Sequence, residues 1–167
     1  MADSSSANNH AKLTYEMSKK FNVSVKVWTK AALVNVQSGT ALHGEGSSVT
    51  GRARDQSNKD KHQIWIVVFP SMPGAGALLV NEATGGHIVA QGENKPVTLD
   101  DSSINDRKGQ WHMEYTQEGS RGTKFKNAEF GSCVLDLAAG HKGDGTLVYC
   151  YKDNKGKNQI WSRIDAD

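Results

Sequence analysis

A short residue pattern occurs three times along the chain, and it constrains the fold more than any other feature. Each copy has two aliphatic residues, then Asn or Asp, then Gly four residues later, at residues 33–39, 79–85 and 134–140. A Trp preceded by Gln closes each copy, at Trp65, Trp111 and Trp161. From the Asn or Asp to this Trp there are 30 residues in the first two copies and 25 in the third. Such a period indicates one supersecondary unit used three times, with about 46 to 50 residues per unit.

Each unit is predicted to consist of short strands joined by turns. Residues 25–28 (Val-Lys-Val-Trp) alternate apolar and polar side chains, as a half-buried strand does. The Gly that ends each apolar run suits a turn that requires a positive φ. We therefore expect an all-β fold of about 12 strands, packed around a threefold axis with the three closing tryptophans in a shared core.

The repeats predict a single domain at residues 23–167, divided at about 23–67, 68–115 and 116–167, after a polar N-terminal extension at residues 1–22. Within the extension, Leu13, Met17 and Phe21 are spaced four residues apart. This spacing is compatible with either a short helix or an added strand.

Charge and composition exclude several classes of function. The net charge is only +2, so no large basic field is available to hold nucleic acid. No apolar stretch approaches the ~18 residues of a membrane span, and the N-terminal residues lack the apolar core of a secretion signal. We expect a cytoplasmic protein that binds neither nucleic acid nor the membrane interior, with later release from the cell left open.

Signatures of metal binding and catalysis are not found in the sequence. The six His residues are scattered, and no Cys or His pairs occur at zinc spacing. There is no phosphate-binding Gly loop and no nucleophile elbow. Cys133 and Cys150 are too few for a disulfide framework, and we expect both to be free thiols. The sequence thus predicts a protein without a metal, a cofactor or an enzymatic activity.

The three units resemble those of the ricin B-type β-trefoil lectins, which also end in Gln-x-Trp after an aliphatic-Asp or Asn-turn-Gly start. The resemblance covers about residues 24–167. It implies a β-trefoil fold and non-catalytic binding of galactose or N-acetylgalactosamine. In that family an Asp accepts hydrogen bonds from sugar hydroxyls, an aromatic ring stacks on the sugar, and an Asn before the last Gln completes the polar contacts.

Matched position by position, the resemblance places the best site in the third repeat. The residues that it implies there are Asp136, Tyr151, Asn158 and Gln159, with Tyr149 at the edge. The residues themselves leave an alternative interpretation open for two members of this set. Asp136 is also able to cap its own turn, and Tyr151 is also compatible with a packed position.

The other two repeats depart from the pattern. The first is a weaker candidate site, with Asn35 in place of Asp, His62 and Gln63 before the Trp, and Asp55 at the aromatic position. In the second, Gly109 stands where the Gln is expected and Asp101 where the aromatic is expected.

We therefore expect a lectin that binds galactose-type glycans. A single shallow site binds a monosaccharide weakly, so we also expect a homodimer that combines two sites. The alternative is a β-trefoil that binds proteins through its loops, such as a protease inhibitor or a scaffold, because the fold alone does not determine function.

Overall fold

The computed structural model describes residues 4–166, which form one α-helix and thirteen β-strands. The elements are α1 (Ser4–Phe21), β1 (Val25–Asn35), β2 (Ala41–Glu45), β3 (Ser48–Arg52), β4 (Ile64–Pro70), β5 (Leu78–Asn81), β6 (His87–Val89), β7 (Lys95–Pro96), β8 (Thr98–Asp100), β9 (Trp111–Tyr115), β10 (Gly122–Asn127), β11 (Cys133–Leu137), β12 (Thr146–Lys152) and β13 (Trp161–Asp165).

Within the described chain, six antiparallel strands close into a barrel. Their order is β5-β4-β1-β13-β10-β9, and two backbone hydrogen bonds between Ala77 and Trp111, at 2.8 and 2.9 Å, join the two ends. Closure leaves the barrel without a free edge that could pair with another chain. The expected β-trefoil is confirmed, with two barrel strands from each repeat.

The remaining two strands of each repeat form a hairpin: β2–β3 in the first, β6–β8 in the second and β11–β12 in the third. The hairpins also contact one another, since Ser48 pairs with Thr98 and Thr146 pairs with Gly51. The short strand β7 is additional to these four strands per repeat. It belongs to the second repeat but pairs with β12 of the third.

The closing tryptophans fasten each hairpin to the core. All three are fully buried. Each indole Nε1 donates to a carbonyl oxygen in the first strand of its own hairpin: Trp65 to Leu42 at 2.9 Å, Trp111 to Ile88 at 3.0 Å and Trp161 to Leu135 at 3.0 Å. Each ring therefore combines a large buried apolar surface with a satisfied polar group. The prediction that these rings lie in the shared core is confirmed.

The structure corrects the alignment of the third repeat. Asn127, and not Asp136, is the counterpart of Asn35 and Asn81, and the three lie 46 residues apart. Each of these buried amides donates from Nδ2 to a backbone carbonyl shortly before a closing Trp: Asn35 to Asn158, Asn81 to His62 and Asn127 to Lys108. Each Oδ1 also accepts two backbone N–H groups of the following turn. Asp136 lies one strand later, where the first repeat has His43.

Residues 4–21 of the N-terminal extension form one long helix. Helix α1 places Leu13, Met17 and Phe21 against an apolar patch on the outer face of strands β1, β4 and β5. The patch residues are Val25, Val27, Ile66, Val68, Leu78 and Val80. These side chains alternate with the barrel core along their strands, so without the helix the sheet would expose them. Of the two readings of the four-residue spacing, the helix is therefore the one observed.

Cys133 and Cys150 are free thiols buried in the main core, within the part of the chain that the structure describes. Burial raises the pKa of the Cys150 thiol. A neutral, enclosed thiol packs like a small apolar side chain. Among residues 4–166, no helix is long and apolar enough to cross a membrane.

Candidate binding site

An open cavity of about 400 Å³ lies beside the third-repeat hairpin, between strands β11 and β12 and the loop that follows them. The residues that line it are Asp136, Ala138, Ala139, Tyr149, Tyr151, Asn154 and Asn158. Four of the five residues predicted for this site thus meet at one cavity. The fifth, Gln159, lies fully buried behind Asp136.

The strand register brings Asp136 and the two tyrosines to one face. Asp136 pairs with Tyr149 across β11 and β12, and Val134 pairs with Tyr151. Side chains at paired positions point the same way, whereas the intervening Leu135 points into the core. The alternation of buried and outward residues therefore creates the site.

Asp136 is a carboxylate at the base of the cavity. Its side chain is largely buried, and its Oδ2 accepts a hydrogen bond from Gln159 Nε2 at 2.8 Å. Burial raises the pKa of Asp136 above its usual value, while hydrogen bonds from Gln159 and Asn158 partly oppose this rise by favouring the ionised form. A fixed, partly desolvated acceptor of this kind suits hydroxyl donors.

Gln159 couples Asp136 to the loop. Besides its bond to Asp136, Gln159 Nε2 donates to the Lys152 carbonyl at 2.8 Å, and its Oε1 accepts from Asn154 N at 3.1 Å. Both N–H donors and the carbonyl oxygen of the amide are therefore engaged by the protein. Gln159 holds the carboxylate and the loop in place.

Asn158 precedes this glutamine in a short 3-10 turn, Lys157–Gln159. Its Nδ2 donates to the Leu137 carbonyl at 3.1 Å, and its own carbonyl accepts from Asn35 Nδ2 at 2.9 Å. The amide is largely buried but lines the cavity. Asn158 thus offers its remaining hydrogen-bonding capacity toward the same space as Asp136.

The two tyrosines form the aromatic wall of the cavity. Tyr151 is 42% exposed and Tyr149 is half-buried. Since so much of the ring is open to solvent, Tyr151 is a surface aromatic rather than a packed one. An aromatic face beside a carboxylate provides both the apolar and the polar contact that a ring-shaped polyol requires.

Three further lining residues were not predicted from the sequence. Ala138 and Ala139 form the turn after β11, and Ala139 adopts a positive φ of 51°. Asn154 lies in the polar loop after β12, and the sequence of this loop predicts only a solvated turn. The backbone N–H of Asn154 donates to Gln159 Oε1 at 3.1 Å, a contact across five residues, whereas the equivalent contact in the first repeat spans eight, so no fixed spacing signals it.

In the first repeat, the corresponding positions carry different chemistry. Gln63 matches Gln159, since it accepts from Asp55 N at 2.8 Å and donates to the Ala53 carbonyl at 2.9 Å. By the same register, His43 stands at the place of Asp136 and Arg52 at the place of Tyr151. Repeat one therefore presents a cationic side chain where repeat three has an aromatic ring.

The predicted weaker set does not come together in the first repeat. Asn35 is buried in its turn, as described above, and does not face the hairpin. Asp55 also lies in a loop, where it accepts from the backbone and hydroxyl of Ser57, rather than at the aromatic position. His62 instead stacks on His43, with ring centroids 5.5 Å apart, and burial lowers the pKa of His43.

The second repeat lacks the counterparts of Asp136 and Gln159. Val89 stands at the place of Asp136, and Gly109 stands where the glutamine is expected, as predicted. A Cβ at Gly109 would lie 2.9 Å from His87 Nε2, so the buried histidine fills this space. The residue in register with Tyr151 is Asp100 and not Asp101. Within residues 4–166, no three His, Cys, Asp or Glu side chains group to hold a metal ion.

No protein-family model matches the sequence, and no curated protein matches it significantly. Solved structures do match. A designed threefold-symmetric protein, ThreeFoil, aligns with a TM-score of 0.70 at 22% identity over 82% of this chain and 99% of its own. A ricin B-like lectin from Macrolepiota procera, in complex with lactose, aligns with 0.67 at 19% identity over 83% and 96%. The C-half of an earthworm R-type lectin, in complex with N-acetylgalactosamine, aligns with 0.62 at 16% identity over 83% and 100%.

The structural match to ricin B-like and R-type lectins thus extends over about 83% of the chain, which confirms the resemblance in fold. At these identities the likeness is one of architecture.

Proposed function

We propose that this protein is a non-catalytic lectin that binds the terminal galactose or N-acetylgalactosamine residue of a glycan in the third-repeat cavity. The observation that carries the proposal is the buried Asp136 carboxylate, held by Gln159 at 2.8 Å beside the exposed ring of Tyr151. Asp136 accepts hydrogen bonds from two sugar hydroxyls, and Tyr151 covers the apolar face of the ring.

Two similarities support a sugar of this class. The Macrolepiota procera lectin is seen with lactose, and the earthworm lectin with N-acetylgalactosamine. Both share the β-trefoil architecture in which this cavity is formed. In this chain the first and second repeats lack the combination of acid and aromatic ring, so the third repeat carries the binding.

The cavity also supports binding without hydrolysis. Asp136 is the single carboxylate among its lining residues. Glycosidases ordinarily need two acidic groups on either side of the scissile bond. One carboxylate and one aromatic wall suffice for recognition.

A site of this size binds a monosaccharide with a Kd of roughly 1 mM, or about −4 kcal/mol. Useful binding to a glycan-covered surface then requires more than one site per particle. We propose a homodimer for this purpose, because two linked sites raise the avidity without any new sugar contact.

The test is a glycan array probed with the wild-type protein, Tyr151→Ala and Tyr15→Ala. Tyr15 is the matched control, since it is an exposed tyrosine on helix α1. We expect wild type and Tyr15→Ala to bind terminal galactosides or N-acetylgalactosaminides, and Tyr151→Ala to lose this signal. Folded wild-type protein that binds no glycan would overturn the proposal and favour a protein partner. Full binding by Tyr151→Ala would reject the site.

A further inference from the structure

The exposed face of strand β12 is longer than the cavity beside it. Leu147, Tyr149 and Tyr151 alternate outward along the strand, while Val148 and Cys150 are fully buried. Leu147 is 44% exposed and does not line the cavity. At the usual rise per residue of an antiparallel strand, the stripe from Leu147 to Tyr151 is about 13 Å long. That length exceeds one sugar ring.

A second element borders this stripe on the side away from Asp136. Strand β7 pairs with β12, with Pro96 opposite Tyr149 and Lys95 opposite Cys150. Because paired residues share a face, the exposed Pro96 ring lies next to Tyr149. Asp136, Tyr149 and Pro96 thus form one row across three neighbouring strands.

Backbone hydrogen bonds fix this border. Asn94 N donates to the Cys150 carbonyl at 2.7 Å, and Val97 N donates to the Val148 carbonyl at 3.0 Å. The hydroxyl of Ser132, next to β11, also donates to Glu93 Oε1 at 3.3 Å. Strand β7 is therefore held in place before any ligand arrives, and a preorganised surface loses little conformational freedom on binding.

We propose that the surface formed by Leu147 and Pro96, here called the β7 shelf, is a second subsite that receives the following sugar rings of an oligosaccharide. This inference rests on the proposed function. The terminal galactose-type residue occupies the cavity at Asp136 and Tyr151. The second ring lies over Tyr149, which borders both regions, and the third and later rings lie on the β7 shelf.

The chemistry of the β7 shelf suits this occupant. Leu147 and Pro96 offer apolar surface without a charged group, and the C–H faces of pyranose rings are the part of a glycan that such surface covers. The preferred ligand is therefore a linear oligosaccharide of at least three residues with a terminal galactose-type sugar. A free monosaccharide occupies the cavity and does not reach the β7 shelf.

The test is isothermal titration with methyl β-galactoside, lactose and lacto-N-neotetraose, which all present a terminal β-galactose. We expect the tetrasaccharide to bind wild type about tenfold more tightly than lactose, the gain from covering one exposed aliphatic side chain. Leu147→Ser and Pro96→Ala should each reduce this advantage to about threefold or less, with lactose affinity unchanged. Val23→Ser, an exposed apolar side chain outside the site, is the control.

The two proposals fail in different ways. Equal affinity of wild type for lactose and the tetrasaccharide, or an unchanged tetrasaccharide advantage in both folded variants, would overturn the second subsite and leave the lectin function intact. If none of the three saccharides binds to folded wild type, both the lectin function and the subsite are wrong.

Discussion

Gln159 donates from Nε2 to the Asp136 carboxylate at 2.8 Å, and the same nitrogen also holds the Lys152 carbonyl. Gln63 makes the equivalent backbone contacts in the first repeat, at the Ala53 carbonyl and Asp55 N, without an acid beside it. Gln63 therefore only holds the backbone of its loop, whereas Gln159 holds the backbone and also positions a carboxylate.

Replacing either glutamine with alanine should destabilise the fold, because buried backbone groups lose their partner. We expect a loss of about 1–3 kcal/mol in the free energy of unfolding for both Gln159→Ala and Gln63→Ala, measured by denaturant titration. Only Gln159→Ala should also lose affinity for lactose. Equal lactose binding by the two variants would show that Asp136 does not depend on this contact.

Sugar binding should weaken on acidification at a pH above the usual range of an aspartate. A protonated Asp136 loses acceptor capacity toward hydroxyls, and burial raises the pKa of this group from its ordinary 3.8. As the pH falls, affinity for the sugar is therefore lost at a higher pH than it would be with an exposed aspartate. Lactose titration from neutral pH to about pH 4 measures this midpoint.

Asp136→Asn is the matched variant for this pH dependence. It should bind lactose weakly at every pH and lose the acid-dependent midpoint. A group whose pKa is raised on folding destabilises the fold in its ionised form, so this variant should be no less stable than wild type at neutral pH. A clear fall in its melting temperature would contradict the assignment of Asp136 to binding rather than to the turn.

The corrected repeat alignment predicts three equal contributions to stability. Asn35, Asn81 and Asn127 make the same set of hydrogen bonds, with Nδ2 to a carbonyl and Oδ1 to two backbone N–H groups. Each change to alanine should lower the free energy of unfolding by about 1–3 kcal/mol. A much smaller effect for Asn127→Ala, measured by urea titration, would mean that the third repeat does not share this turn.

Helix α1 should stabilise the domain through the apolar patch it covers. Met17 packs on the outer face of the barrel, whereas Tyr15 is 67% exposed. Met17→Ser should cost about 1–2 kcal/mol, and Tyr15→Ser should cost less than about 0.5 kcal/mol. Thermal unfolding of the two variants compares these values. Equal melting temperatures would show that the helix contributes little to the fold.

The threefold plan could be predicted because large residues at fixed distances mark it. Trp65, Trp111 and Trp161 each need a buried place and a carbonyl partner, and this need leaves a visible period. The spacing of Leu13, Met17 and Phe21, by contrast, left a helix and an added strand open, and only their packing on one patch of the barrel decides for the helix.

The alignment of the third repeat could not be obtained from the same pattern. Asn127 is preceded by Phe125 and Lys126 rather than by two aliphatic residues. Leu135, whose carbonyl accepts from Trp161, follows Asn127 by eight residues, whereas the equivalent residue follows the Asn by seven in the other two repeats. Asp136 imitates the start of a repeat only because Gly140 follows it at the same spacing. Hydrogen bonding of the amide, and not its sequence neighbours, defines the position.

The lining of the third-repeat cavity was predicted in part, since Asp136, Tyr151 and Asn158 do line one cavity. Ala139 and Asn154 were missed because they belong to turns that meet only after the chain folds. The place of Pro96 beside Tyr149 was hidden for a related reason, as strand β7 comes from a different repeat. Contacts between repeats leave no period in a sequence.

Each closing tryptophan donates to the hairpin of its own repeat, so the residues that fasten a hairpin and those on its outer face are different members of one unit. In the second repeat, Trp111 makes its bond to Ile88 with Val89 and Gly109 in the places that Asp136 and Gln159 take in the third. The three hairpins are therefore modular, and the outer face of one should accept new side chains without loss of the barrel.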